Sequence, residues 1–430
     1  MAELARPDVA FYGDDLTGSI DVLLQFARSG WAGTLFLGTP SPELLASAGT
    51  PLVGIAGVAR SLPTAAIERE VGEALDLLLS VGAQIVQYKA CSTADSSPTI
   101  GNLGRVLELA RGRCGDATVP LLFAQPDFGR FTLFGHHFAA EGDVVYRLDR
   151  QPTMSTHPST PMTESQLAVH LSAQTALPIG ELPLTVYESA AGVARLVQSS
   201  EHAALVLDAL DDNHLALLGE ALWMLAADTS PRFVLGSGGL SAALARTRPR
   251  TDSAVAGLEG TRQVATTGPA TAPVLTVSGS RSPRTREQIE HARSHGWAVL
   301  PLPLVESTEA VDAALLLLDA GTSVVLDADG VDVSDPSSAV SAIAEASARA
   351  ITAALAAGLT RRIIVCGGDT SGHVAARVGV DSVSIAANPV DNVVLCRVTA
   401  QAPHIDGIEM LFKGGQVGPV DVLERVRRLG

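Results

Sequence analysis

Short apolar runs alternate with amphipathic or alanine-rich stretches along nearly the whole chain, and few architectures accept that rhythm. A short run that is apolar on both faces suits a strand buried inside a parallel sheet, and the amphipathic stretch after it suits a helix laid over that sheet. Strands are expected at Val9–Tyr12, Gly33–Leu37, Leu52–Val58, Ile85–Lys89, Pro120–Phe123, Ala204–Leu207 and Arg232–Leu235. The rhythm breaks at Thr247–Pro273, TRPRTDSAVAGLEGTRQVATTGPATAP, which is rich in Thr, Ala, Gly and Pro without a sustained hydrophobic period. Such text reads as a surface linker. Beyond it come strands at Val274–Ser278, Ala298–Leu300, Ser323–Leu326 and Arg362–Cys366, a helix from about Pro283 and a long alanine-rich helix Ser337–Ala357. The expected fold class is α/β: two α/β domains with mostly parallel sheets, residues 1–246 and 274–430, joined by the linker 247–273. No heptad or repeat of roughly 20 to 50 residues competes with this reading.

Charge narrows the partners. A formal net charge of -16 over 430 residues disfavours nucleic acid and anionic membrane surfaces, both of which reward Lys and Arg patches. An anionic small molecule must therefore be held by local groups. Cys91, Cys114, Cys366 and Cys396 lie far apart with no CxxC pair, as in reduced cytosolic thiols rather than a disulfide framework or a zinc site. The start, MAELARPDVAFYGDD, has no basic segment leading into an apolar one, and no apolar stretch reads as long and charge-free enough to span a bilayer. The expected location is cytoplasmic, with no membrane partner. One count says more: of 30 basic residues only Lys89 and Lys413 are lysines. Arginine serves almost everywhere a generic positive charge is wanted, so these two positions are either surface lysines left by chance or places that need a compact ammonium, which approaches carboxylate or phosphate oxygens where a planar guanidinium does not fit. Both end apolar strand-like runs beside small-residue loops, which favours the second.

In open α/β sheets ligands gather at the carboxyl ends of strands, and several loops there are unusual. Gly13-Asp14-Asp15-Leu16-Thr17-Gly18 follows the first strand. Capping a helix takes only one such side chain; paired acids can also accept hydroxyl hydrogen bonds, hold a metal, or share a proton so that one serves as a base. The loop Gly57–Ser61 carries Arg60, and Tyr88–Ser96, YKACSTADS, carries Lys89, a run of hydroxyls and Asp95. Together these suit a carboxylate and several hydroxyls. His157, in the proline-braced stretch HPSTPMT, is either a ligand or a satisfied loop residue, and the glycine-rich turn Gly236–Leu240 reads as packing. The second half holds three glycine-rich loops: Ser278-Gly279-Ser280-Arg281-Ser282, Gly367-Gly368-Asp369-Thr370-Ser371-Gly372 and Lys413-Gly414-Gly415-Gln416-Val417-Gly418. Their backbone N–H groups, hydroxyls and one ammonium suit a cradle for nucleotide phosphates. No GxxxxGK[ST], GxGxxG, GxSxG or HExxH motif and no protein-kinase motif set is present, which disfavours the Walker ATPases, Rossmann dehydrogenases and related classes.

Taken in order, GDDLTGS at Gly13–Ser19, ARS at Ala59–Ser61, YKACSTADSSPTIGNLG at Tyr88–Gly104, HPSTPMTESQL at His157–Leu167, GSGGL at Gly236–Leu240, SGSRSPRTREQI at Ser278–Ile289, GGDTSG at Gly367–Gly372 and KGGQVG at Lys413–Gly418 give a chain that resembles the four-carbon acid sugar kinases over essentially its whole length. The resemblance implies an N-terminal sugar-acid-binding domain and a C-terminal ATP-binding domain. It also implies transfer of the γ-phosphoryl group from ATP, with Mg²⁺, to the terminal hydroxyl of threonate, erythronate or a 3-oxo-tetronate, and it permits a homo-oligomer. Carried over residue by residue, Asp14, Asp15, Arg60, Lys89 and Asp95 would line the acid site. Ser280, Gly367, Gly368, Asp369, Thr370 and Gly414 would contact ATP, with Ser278 and Gly415 in the same loops. From the chemistry of phosphoryl transfer itself, Asp15 is expected to act as base, Lys89 with Arg60 to hold the substrate carboxylate, and Lys413 with the glycine-loop amides to hold the phosphates with Mg²⁺ between them.

Some positions depart from the family pattern. The last motif usually reads Lys-Ser/Thr-Gly-Asn-Phe-Gly, so Gly414, Gln416 and Val417 change that cradle, and Gly13 stands where alanine is common. The altered loop is the feature that favours a second reading, a non-catalytic sensor of sugar acid and nucleotide. A third reading makes Asp14 and Asp15 the ligands of a metal-dependent hydrolase or aldolase.

Overall fold

All five residues of Val9–Gly13 are buried, and the same holds for Ile85–Lys89 and Arg232–Gly236. Strands with no solvent face need helices on both sides of their sheet, and the sequence between them supplies those helices. The computed structural model describes residues 6–228, 231–250, 272–304, 309–328 and 336–429, with the backbone alone at 228, 336–338 and 369. These fall into two units. One holds the described residues up to 250 apart from 35–38; the other holds 35–38 and the residues from 272 onward. Most of the expected linker, 251–271, lies outside the described residues.

In the first unit seven parallel strands run in the order Leu52–Ala56, Val9–Gly13, Ile85–Lys89, Arg232–Gly236, Val119–Leu122, Ala204–Leu207 and Ile179–Leu182. The chain places Leu52–Ala56 on one side of the first strand and Ile85–Lys89 on the other, so the direction of building reverses there. Such a reversal opens a crevice at the strand tips. Register levels those tips: Gly13 pairs with both Ala56 and Lys89, and Lys89 pairs with Gly236. Leu52–Val58 was too long an expectation, because the strand stops at Ala56 and the chain turns through Ala59–Ser61. The turn is drawn over by the first strand, whose Gly13 and Asp14 carbonyls accept from the amides of Gly57 (2.9 Å) and Arg60 (3.2 Å). A small antiparallel sheet of Arg130–Leu133, His136–Glu141 and Val144–Arg147 has no counterpart in the expected strands.

The second unit repeats the scheme. Parallel strands run in the order Ala298–Pro301, Val324–Asp327, Leu275–Ser278, Arg362–Cys366 and Glu409–Lys413, followed by the antiparallel Val393–Thr399 and Ser382–Val390. The reversal falls at Leu275–Ser278, and Ser278, Cys366 and Lys413 stand level at the tips. Below them Val274, Trp297, Val325, Ile364, Leu395, Leu411 and Val422 form the core. Within the helix Pro336–Ala356 the segment Ala339–Ala356 meets the length and hydropathy of a membrane span, with 56% of it buried in the protein. It carries Glu345 and Arg349, 3.9 Å apart, and Ile343, Ile351 and Leu355 pack inward.

Candidate functional site

In the first unit, Asp15 is the N-cap of the helix Leu16–Arg28, its Oδ1 accepting from the Gly18 amide at 2.7 Å. Its Oδ2 pairs with Arg60 Nη1 at 2.9 Å, while Arg60 Nη2 reaches Asp14 Oδ1 at 3.0 Å. One guanidinium, brought by a different strand tip, thus holds both acids. Asp14 is only 1% exposed. Burial pushes its carboxyl above the usual carboxylate range; Arg60 and Lys89 oppose the rise and Asp15 adds to it. Burial alone would lower the Arg60 guanidinium, but Asp14, Cys91 and Asp15 reverse this and hold it firmly charged. Lys89, 3% exposed, donates to the Ala90 carbonyl at 2.8 Å, and among the described residues it forms no ion pair. These groups converge on Gly18. A Cβ there would lie 2.5 Å from Asp15 Oδ1, 3.0 Å from Lys89 Nζ and 3.7 Å from Arg60 Nη2. The missing side chain leaves an acid, an ammonium and a guanidinium facing one small space.

The loop after Lys89 is shaped with equal care. Ala94 sits at φ 52°, a conformation that costs a residue bearing Cβ and persists only where its surroundings enforce it. Ser96 Oγ donates to the Ala94 carbonyl at 2.8 Å and lies 2.9 Å from His170 Nε2, and His137 Nε2 donates to the Ser92 carbonyl at 2.7 Å. Facing a carbonyl, His137 Nε2 must carry a proton, and in the neutral ring favoured by its low pKa Nδ1 accepts from Thr132 Oγ1 at 2.9 Å. Burial lowers its pKa to about 4, against the raising effect of the Ser92 hydrogen bond. Asp95 is buried and its Oδ1 has no donor. An orphaned carboxylate oxygen is costly, and a ligand hydroxyl would satisfy it.

In the second unit three loops meet at the level strand tips. The Gly279 amide donates to the Cys366 carbonyl at 2.9 Å, and the Gly367 amide to the Lys413 carbonyl at 2.9 Å. A Cβ at Gly279 would lie 3.0 Å from Thr370 Oγ1, and one at Gly415 would lie 2.6 Å from Ser280 Oγ. Glycine is what lets these backbones approach. The helices Pro283–Ser294 and Gly368–Val378 both begin without a side-chain cap, leaving N-terminal amides for an anion. Ser278 Oγ is buried and without a partner. Lys413 is 1% exposed, donating to Thr285 Oγ1 at 3.2 Å and to the Gly414 carbonyl at 3.1 Å. Burial lowers its pKa, and the neighbouring Cys366 acts the other way. No group of three or more His, Cys, Asp or Glu side chains able to hold a metal occurs among the described residues.

Comparison with known proteins decides between the readings. A sugar-binding N-terminal domain model matches residues 9–244, and a nucleotide-binding C-terminal domain model matches residues 275–423. The chain is 36% identical to a 3-oxo-isoapionate kinase of Paraburkholderia graminis, across 97% of this chain and 94% of that protein. It is 30% identical to a D-threonate kinase of Bordetella bronchiseptica, across 98% and 97%. The chain belongs to the four-carbon acid sugar kinase family. The same fold occurs in a solved Haemophilus influenzae protein, 22% identical with a TM-score of 0.76 across 97% of this chain and 99% of that one.

Set in this kinase family, the expected residues fall into two groups. Asp14, Asp15, Arg60 and Lys89 share one cluster, and Asp95 stands in the loop that leaves Lys89. Ser278, Ser280, Gly367, Gly368, Thr370, Lys413, Gly414 and Gly415 lie in the three loops of the second unit; for Asp369 only the backbone, in the first turn of Gly368–Val378, is described. His157 closes its own loop, accepting from the Thr160 amide at 3.1 Å. Ser237 caps the helix Gly238–Thr247, and a Cβ at Gly239 would lie 1.9 Å from the Ala124 carbonyl oxygen. Sequence reasoning passed over Gly18, His137, His170, Thr285 and Gln288. Gly18 had a signal, since it closes the GDDLTG motif. Thr285 and Gln288 had a fainter one, as polar residues three apart on one helix face.

Proposed function

We propose that the chain transfers the γ-phosphoryl group of ATP to the terminal hydroxyl of a four-carbon sugar acid of the threonate, erythronate or 3-oxo-tetronate type. As a member of its family it is an ATP-dependent sugar-acid kinase; a 3-oxo-tetronate kinase of Pseudomonas savastanoi pv. phaseolicola, 29% identical across 97% of this chain and 96% of that protein, supports the substrate class. The observation that carries the reading is the meeting of Asp15, Lys89 and Arg60 around Gly18. A sugar acid presents a carboxylate and several hydroxyls, so its site needs cations and acceptors side by side.

In this reading Lys89 and Arg60 hold the substrate carboxylate, and Asp95 accepts a hydroxyl. Asp14 is too deeply buried to meet substrate and serves to aim Arg60. Asp15, with its side chain 31% exposed, is the base that orients the attacking hydroxyl. In the second unit Lys413 and the amides of the three loops hold the phosphates. Mg²⁺ would arrive on those phosphates, as is usual for this ion, with the Ser278 hydroxyl nearby; when bound it neutralises charge on the transferring group. The arrangement disfavours the hydrolase or aldolase reading, because a guanidinium that already bridges Asp14 and Asp15 repels a divalent cation. The test is ADP release from Mg²⁺-ATP across D- and L-threonate, D- and L-erythronate and freshly made 3-oxo-tetronates. Release dependent on one acid is expected, and silence across the panel with ATP binding intact would overturn the substrate class.

A further inference from the structure

A backbone loop that binds an anion must turn its carbonyl oxygens away, because each carries partial negative charge that repels phosphate. Glycine permits the required turns but does not choose among them. Something must therefore hold the carbonyls of the loop that starts at Lys413. Two side chains of the helix Pro283–Ser294 do so. Thr285, 1% exposed, donates its hydroxyl to the Gly415 carbonyl at 2.8 Å. Gln288, fully buried, directs Nε2 at the carbonyls of Val417 (3.1 Å), Gly418 (3.0 Å) and Pro419 (3.0 Å). The remaining glycine carbonyl, that of Gly414, accepts from Lys413 Nζ at 3.1 Å and from the Val417 amide at 3.2 Å. By contrast the amides of Gly414, Gly415 and Gln416 have no acceptor among the described residues.

The Thr285 hydroxyl also sets the lysine. Its one proton goes to Gly415, so a lone pair faces Lys413 Nζ at 3.2 Å. With Thr285 and the Gly414 carbonyl taking two of the three ammonium protons, one N–H is left for a ligand. Gln288 Oε1 has no donor, so the carbonyls alone fix which way its amide points.

We infer that Thr285 and Gln288 are positioning residues for phosphate binding: they pin the carbonyls of Gly415, Val417, Gly418 and Pro419 to the neighbouring helix, so that these oxygens are engaged and the loop's N–H groups and one lysine proton are left for an incoming phosphate. This rests on the nucleotide reading given above. The residues touch no substrate themselves and act through Lys413 and the loop.

The test is Mg²⁺-ATP binding by calorimetry from neutral to alkaline pH, with sugar-acid binding measured on the same proteins. Thr285→Val and Gln288→Leu should each weaken Mg²⁺-ATP by about tenfold or more, with sugar-acid affinity unchanged. Thr285→Ser should bind like the unmodified chain. In Thr285→Val alone the alkaline limb of ATP binding should move to lower pH, since the Lys413 ammonium loses an acceptor; a merely structural defect would not move it. If Gln288→Leu does not fold, Gln288→Glu keeps the shape but replaces donors with acceptors, and the same loss is expected. Folded Thr285→Val and Gln288 variants with unmodified affinity and an unshifted limb would overturn the inference while leaving the nucleotide reading intact. An unmodified chain that bound no Mg²⁺-ATP would overturn both.

Discussion

The two ligand-binding regions are assembled in opposite ways. In the first unit Asp14 and Asp15 pack against Arg60, with Lys89 beside them, so the site is a balanced set of full charges on side chains. In the second unit three glycine-rich loops contribute backbone amides and hydroxyls, and Lys413 forms no ion pair among the described residues. The contrast follows from what each ligand offers. A sugar acid needs acceptors for its hydroxyls as well as cations for its carboxylate. A polyphosphate is met mainly by donors, and a carboxylate near it repels unless a cation stands between them. Side-chain charge in the first site must therefore be compensated before the ligand arrives, while the second site carries uncompensated donor capacity.

That difference predicts where a single substitution does most harm. Arg60→Ala should have the largest effect, because it leaves Asp14 buried without its partner: a loss of about 3 kcal/mol or more in the stability of the first unit, together with loss of acid binding. Trp31 and Trp223 report on the first unit and Trp297 on the second, so denaturation followed by fluorescence in a Trp297→Phe background reads the right transition. Adding Asp14→Asn should recover part of the loss. An Arg60→Ala protein as stable as the parent would mean that the charge balance does not hold the site together. Next comes Asp15→Asn. Asparagine caps a helix as well as aspartate does, so folding and Mg²⁺-ATP affinity should stay near normal while turnover falls about 100-fold or more. Near-normal turnover would place the base elsewhere.

How much of this was legible in the sequence differs between the two regions as well. The parallel sheets and their tips were readable because an apolar run is a local signal, and Asp14, Asp15, Lys89 and Lys413 stand at the ends of such runs. The small antiparallel sheet was not, since Arg130, Thr132, His136 and His137 interrupt any apolar pattern and the reason for His137 lies in the Ser92 carbonyl, 45 residues away. Adjacent acids look alike on the page, yet Asp14 is buried while Asp15 is partly open, a distinction made by the turn that brings in Arg60. Gln288 reads as an ordinary surface residue of a polar helix. Its role appears only when the carbonyls of Val417, Gly418 and Pro419, about 130 residues on, are seen against it.

Lys413 sharpens the comparison from the other side. Lys413→Met should raise the dissociation constant of Mg²⁺-ATP about 100-fold, worth roughly 3 kcal/mol, and leave acid binding unchanged, since no counter-charge in its own site is abandoned. Lys413→Arg should not restore binding, because a planar guanidinium has no room where the ammonium is almost fully enclosed. Calorimetry with each ligand checks both statements. Loss of acid binding in Lys413→Met would show that the two regions are not separately built.

The smallest of these effects concerns pH, and it too should fall on the first unit alone. The His137 pKa is lowered to about 4 by burial, against about 6.5 in an unfolded chain. Between those values the unfolded chain takes up a proton that the folded one refuses. The stability tied to the neutral ring is therefore fully present above pH 6.5, declines as pH falls through the window, and is gone below about 4. From pH 7 to pH 5 His137 should cost the first unit about 2 kcal/mol; His170, whose pKa burial also lowers, adds to the loss, while the carboxyls of Asp14, Asp127 and Asp208, which burial raises, act the other way. In the second unit His295, His373 and His404 are exposed, and the depressed pKa of Lys413 acts on the alkaline side. Denaturant titrations at pH 7 and pH 5 should show the first transition moving and the second nearly still. His137→Gln, which can keep a donor toward Ser92 without titrating, should flatten the first transition's response. A first transition of equal stability at both pH values would mean that His137 takes up its proton in the fold as readily as in the unfolded chain, which its hydrogen bond to the Ser92 carbonyl allows only if Thr132 turns its hydroxyl proton away from Nδ1.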